Sequence, residues 1–207
     1  FYVQRFFWLC CAQLYMLLQL HAYRFQIEEK NKMDDSSYSR QQLDDLFLKM
    51  IAYYAGDPKR IQHFTKVHSF ARLIGVGEEM DAASLFILEA AAYTHDIGIK
   101  PAEEKYGSCD GKLQEQEGPI VAQKMLSELG FENYIIDRIC YLIGHHHTYD
   151  NVEDLDYQVL IEADFLVNLY EDDINRGGIE SAYKNIFRTD TGKRIFEEMF
   201  FGESEKS

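Results

Sequence analysis

Apolar residues recur at steps of three and four along almost the whole stretch 43–201, and only Pro58, Pro101 and Pro119 interrupt it. A repeat near 3.6 residues lays one apolar stripe along a helix, whereas a half-buried strand alternates every second residue. No strand alternation, internal repeat or low-complexity segment stands out, so the chain reads as all-α. Leu43, Leu46, Phe47, Met50, Ile51 and Tyr54 mark a first helix ending at Gly56. Asp57-Pro58 starts a second, with Asp as N-cap and Pro at the first helical position; Ile61, Phe64, Val67, Phe70, Ala71 and Ile74 follow before Gly75. Asp81 opens a third, whose apolar stretch 85–93 runs out at His95-Asp96. Further helices are expected over 118–129, 132–144 and 156–172, with Gly130 capping the first of these. The tail 179–201 reads as one or two more, broken near 190–192. Residues 100–112, polar and charged, are expected to form a loop over a site. The total is about seven helices.

At 207 residues one domain is the default, with a core large enough to need no staples. A net charge of −14 argues against duplex nucleic acid as a partner, because binding a polyanion rests on clustered Lys and Arg. A small phosphorylated substrate stays compatible, since a bound cation reverses the local field. Cys10, Cys11, Cys109 and Cys140 form no Cys-x-x-Cys pair, which fits a reducing cytoplasm better than a disulfide framework. Residues 1–32 read differently from the rest: 1–25 is aromatic-rich, with Trp8, but Arg5, Gln13, Gln19 and Arg24 interrupt it too often for a membrane span. No stable membrane insertion is expected, and no small-residue cleavage site marks a signal peptide. Met33 reads as the natural start, leaving 1–32 as an upstream extension and 33–207 as the domain. Glu28-Glu29-Lys30 is compatible with purine-rich codons like those of a ribosome-binding site. The rival reading is a membrane-associating amphipathic segment. N-terminal sequencing of the native protein separates the two.

The chemistry concentrates at His95-Asp96-Ile97-Gly98, where a helix gives way to a glycine-containing turn. An adjacent imidazole and carboxylate can face one cation only if the backbone leaves regular geometry, as it can there. His63 precedes this pair, and His145-His146-His147 and Asp164 follow it. Nitrogen and hard oxygen donors without cysteine suit a divalent ion such as Mn, Fe, Mg or Zn. Taken singly, each has a plainer reading: His63 as a core histidine, His95-Asp96 as a helix cap and turn, Asp164 as a helix-surface carboxylate. His68, five helical steps from His63, reads as structural or exposed.

Three segments together resemble the HD-domain superfamily of metal-dependent phosphohydrolases: His63-Phe64-Thr65-Lys66-Val67 with Ala71, His95-Asp96-Ile97-Gly98, and Glu162-Ala163-Asp164-Phe165-Leu166. The match spans about 57–170, half or more of the chain. It implies a single-domain helical bundle of HD type, with metal ligands His63, His95, Asp96 and Asp164, and hydrolysis of a phosphate ester on a small substrate, a nucleotide among the candidates. Ni and Co join the metals such a site takes. Asp96 would also accept the water proton. Lys100, with Lys105 and Lys112, would lend positive charge, although Ile99 intervenes where many relatives place Lys directly after Gly. Two-metal relatives such as the HD-GYP phosphodiesterases carry an adjacent histidine pair before the last aspartate, and part of the triplet resembles that pair. Their additional histidine has no counterpart in 114–119, where Glu117 is the candidate second-metal ligand with His145 and His146. The preferred reading is one metal, with His145 or His146 contacting phosphate or moving a proton. Two alternatives remain open: a di-iron oxygenase, kept in view by Glu117 and the triplet, and a non-catalytic nucleotide or metal sensor. A homodimer is compatible with either.

Overall fold

The computed structural model describes residues 39–202; the readings of 1–32 and of Met33 lie outside the described residues. Nine helices occur there: α1 (Arg40–Tyr53), α2 (Pro58–Gly77), α3 (Ala82–Thr94), α4 (Ile99–Tyr106), α5 (Gly111–Glu128), α6 (Asn133–Ile143), α7 (Leu155–Glu171), α8 (Arg176–Asn185) and α9 (Asp190–Phe196). The last runs on into a π-helical turn, Glu197–Phe201. No strand appears among the described residues, and the fold is all-α.

The third helix is the hub. Its sequence, Ala82–Thr94, is apolar on most of its surface, and Phe86, Leu88, Ala90, Ala91, Ala92 and Thr94 are buried. A helix without a polar face must be surrounded, and α1, α2, α6 and α7 surround this one. Each Leu, Ile or Phe side chain so buried contributes roughly 1.5–3 kcal/mol. Local signals set where the neighbours begin. Asp57 accepts from Arg60 N at 3.1 Å ahead of Pro58, and Asp81 accepts from Ala83 N and Ser84 N at 3.0 Å each. Gly130 closes the 129–131 turn in the left-handed region, at φ +73°.

Two segments depart from the periodicity. Of residues 100–112, expected as loop, Gly111 and Lys112 already open α5 and the first seven belong to α4, which has Pro101 in its first turn and ends at Gly107 (φ +66°) with Lys105 in its last turn. Only Pro101 and Ala102 of this helix are buried, so its apolar stripe is too short to register as a period. Helix α5 begins seven residues earlier than 118 and passes through Pro119. Gly-Pro looks like a start signal, yet Gly118 lacks the Cβ that a following proline ring crowds. The break in the tail falls at 186–189, just before the expected position.

Candidate metal centre

The turn after α3 carries His95 and Asp96, and its neighbours hold it from three sides. Tyr54 Oη donates to the Asp96 carbonyl at 2.7 Å, and Tyr53 Oη to that of Ile97 at 3.3 Å. Ile97 is fully buried. Gly98 passes α5 backbone to backbone: a Cβ there would sit 2.4 Å from the Gln114 carbonyl oxygen and 2.8 Å from Gly118 N. The glycine of this turn is therefore a packing requirement, since its φ of −72° suits any residue.

His63 from α2, His95 and Asp96 from the turn, and Asp164 from α7 meet at one point. His63 Nε2 lies 3.2 Å from His95 Nε2, 3.2 Å from Asp164 Oδ1 and 3.4 Å from Asp96 Oδ2. His95 Nε2 lies 3.4 Å from Asp164 Oδ1 and 3.5 Å from Asp96 Oδ2. His146 completes the cluster, its Nε2 3.5 Å from Asp96 Oδ1.

The tautomers explain what this arrangement suits. His95 Nδ1 is 3.0 Å from the Ala92 carbonyl, and His146 Nδ1 is 2.7 Å from that of Ile143. His63 Nδ1 is 3.0 Å from Glu171 Oε2. Those oxygens only accept, so each Nδ1–H donates to one of them and each Nε2 faces inward. Three Nε2 atoms and two carboxylates then converge. Nε2 of His146 and Oδ1 of Asp164 are buried without a hydrogen-bond partner, a costly state unless a cation joins them. The donors fit a divalent ion: His63, His95 and Asp96 form one group, and Asp96, His146 and His147 a second that shares Asp96.

Without an ion, the two carboxylates favour positive charge at this point. Burial opposes charge on His95, but Asp96 and then Asp164 outweigh it and raise the imidazole to about 9. His63 is raised likewise, burial being overcome chiefly by Asp164. Burial works against ionising Asp96 and Asp164, yet the histidines hold both below the ordinary carboxylate range. His147 goes the other way, pushed down to about 4 by burial and then by His146, so it stays neutral and able to ligate.

Other residues singled out in the sequence lie elsewhere. Glu117 is engaged by Lys105 and by Tyr106 Oη (2.9 Å), which hold its carboxyl low; it faces α4 and joins no His cluster. His145 donates from Nδ1 to the Tyr141 carbonyl at 2.7 Å and stacks on that ring, so the histidine pair at the centre is His146-His147. Lys100 donates to the Tyr53 carbonyl at 3.3 Å and lies over the Tyr53 ring; Lys112 binds Glu115 and Thr148, each at 2.8 Å. His68 is structural, 3.1 Å from Glu89 and stacked on Tyr93.

Two residues missed in the sequence support the cluster. Glu171, seven residues after Asp164 and so two turns along the same face of α7, orients His63 and pairs with Lys66. Glu115 accepts from His147 N at 3.1 Å and Thr148 Oγ1 at 2.9 Å, fixing the 145–148 segment, while Tyr157 Oη lies 2.6 Å from the His145 carbonyl. The i+7 spacing could have flagged Glu171. Apart from Lys112 three residues before it, nothing local marks Glu115, since the partners it fixes are 32 and 33 residues away.

A cavity of about 700 Å³ opens beside Asp96 and Asp164, between the second half of α7 and α8. The chain is thus an all-α bundle with a histidine–aspartate cluster that could hold a metal ion at the end of its central helix, open to a cavity. It is similar to a solved structure from an uncultured Thermotogales bacterium described as a predicted HD superfamily hydrolase. The two are 25% identical over 79% of this chain and 86% of the other, with a TM-score of 0.54. No protein-family profile and no curated protein matches the chain.

Proposed function

We propose that this protein is a metal-dependent phosphohydrolase of HD type acting on a small phosphorylated substrate. The similarity to a predicted HD superfamily hydrolase supports hydrolysis in general. The observation that carries the reading is the convergence of three inward-facing Nε2 atoms and two carboxylates beside a cavity. His63, His95 and Asp96, with Asp164 beside both histidines, would hold the first ion; Asp96, His146 and His147 would hold a second. A divalent ion held there would lower the pKa of a bound water from about 15.7 towards ~7 and stabilise charge on a phosphoryl oxygen.

The chain's own part is positioning and proton transfer. Asp96 is the most accessible of the clustered side chains, at 20%, and it lines the cavity. It is placed to take the proton of the attacking water and return it to the leaving oxygen. A water-oxygen–phosphorus bond forms, the ester phosphorus–oxygen bond breaks, and inorganic phosphate and an alcohol leave. Phe165 and Leu169 exclude water from one wall.

The test is phosphate release from p-nitrophenyl phosphate with Mn, Co, Ni, Mg or Zn. His95→Ala and Asp96→Ala should reduce turnover to background while helicity by circular dichroism is kept. Unchanged turnover in either variant contradicts the assignment.

A further inference from the structure

Gln114 joins parts of the centre that lie far apart in sequence. Its side chain is buried near the start of α5 and lines the cavity together with Cys109 and His147. The amide nitrogen donates to the Cys109 carbonyl at 2.7 Å, and the amide oxygen lies 3.3 Å from His147 Nε2. Its own carbonyl is the backbone group that Gly98, two residues after Asp96, passes closely. Asp96, His146 and His147, in turn, each offer a ligand atom within 4.8 Å of the others.

The two partners fix how the amide and the ring are turned. A carbonyl only accepts, so the nitrogen of the amide faces Cys109 and its oxygen faces His147. An amide oxygen also only accepts, so His147 donates from Nε2, and Nδ1 is the nitrogen of the neutral ring with a lone pair to give. His63, His95 and His146 have the opposite arrangement, each donating from Nδ1. Gly111 leaves room for the His147 ring, since a Cβ there would meet its Cγ at 2.8 Å and its Cδ2 at 2.9 Å.

Resting on the metal reading of the cluster, we propose that Gln114 is a positioning residue for the second ion and couples it to the 107–110 loop. Accepting from Nε2 leaves Nδ1 as the nitrogen through which His147 joins Asp96 and His146. Donating to the Cys109 carbonyl carries the effect onward, because hydrogen bonds in a chain polarise one another. An ion on His147 therefore tightens the hold on the loop, and the loop reciprocally steadies the ligand. The thiol of Cys109, exposed on that loop, reports the coupling.

The experiment titrates the metal-free protein with cobalt(II) by calorimetry, reads the histidine tautomers by nitrogen NMR before the ion is added, and follows iodoacetamide labelling of Cys109 by peptide mass mapping. Wild type should show His147 protonated on Nε2 and His146 on Nδ1, bind two ions, and label at Cys109 about fivefold more slowly once the second is bound. Gln114→Leu should keep the first ion and a cooperative melt, weaken the second about 10–100-fold, and lose the effect of the ion on labelling. Gln114→Glu still accepts from His147 but has no donor for Cys109, so it should retain the second ion and lose only the effect on labelling. His147 protonated on Nδ1, a second ion indifferent to Gln114→Leu, labelling indifferent to that ion in wild type, or saturation at one ion would overturn the proposal and leave the first site standing. A protein that binds no cobalt at all would remove the metal reading, and the proposal with it.

Discussion

Asp96 Oδ1 lies 3.5 Å from His146 Nε2 while its other oxygen faces His63 and His95, so one carboxylate joins two groups of metal-capable donors. The histidine triplet is thereby resolved: His146 turns to Asp96, and His145 to the Tyr141 carbonyl. His146→Ala should lower metal affinity by about 10–100-fold, the range for residues that complete or orient a metal site. His145→Ala should leave metal content unchanged and cost only about 1 kcal/mol of stability through its lost hydrogen bond. Elemental analysis and thermal melts of the two variants separate these outcomes; the reverse ranking would show that the wrong histidine has been placed at the centre.

Glu171 acts on the cluster through His63. Its carboxylate, held low by Lys66 and His63 against the opposing effect of burial, fixes the Nδ1–H tautomer. Glu171→Ala is expected to weaken metal binding by about 10–100-fold with the helical content intact. Glu171→Gln retains an accepting oxygen and should recover part of the loss. Equal affinities for wild type and Glu171→Ala, measured by competition with a chromogenic chelator, would contradict a positioning role.

Gly98 tests the packing of the turn. A methyl group at 2.4 Å from the Gln114 carbonyl must push α5 away from the turn, because the obstacle is backbone. Gly98→Ala should destabilise the fold by about 1–3 kcal/mol and loosen the metal site with it. Urea denaturation reads the first effect, and a shift below about 0.5 kcal/mol would be too small for the contact described.

Acid sensitivity should have a second source, away from the metal. Glu89 is buried in α3 and meets Arg40 at 2.8 Å, His68 at 3.1 Å and Arg72 at 3.4 Å. Burial alone would raise its pKa, but His68 and Arg40 outweigh it and the carboxyl is depressed below its usual 4.5. The unfolded chain then binds the proton more readily, so this contribution is complete above the ordinary carboxylate pKa and is lost as pH falls through and below it. Glu89→Gln should be less stable at pH 7 and flatter in its acid limb. An acid limb identical to that of the wild type would exclude Glu89 as a contributor.

The helical period made most of the bundle legible, because α1, α2, α3, α6 and α7 each bury a stripe or a whole surface that repeats in sequence. Helix α4 was not legible: it buries only Pro101 and Ala102, too few to repeat. The order His63, His95-Asp96, Asp164 pointed to residues that are neighbours in space, since helix starts and a helix-ending turn can be read locally. The orientation of a single residue within a polar run could not be read. Glu117 and Glu115 are two positions apart on α5, and only the partners that fold against them send one to Lys105 and the other to His147. The same holds for Lys100, whose charge is taken by Tyr53 from a different helix.

The central claim is that the His63–His95–Asp96–Asp164 cluster is a metal site, and metal content per chain tests it most directly. Untagged protein purified without chelator should carry one or two equivalents of a divalent transition metal by elemental analysis, and Asp96→Ala, which removes the carboxylate common to both groups, should carry almost none. A wild-type protein that holds no ion and takes up none of Mn, Fe, Co, Ni or Zn on titration would contradict the account.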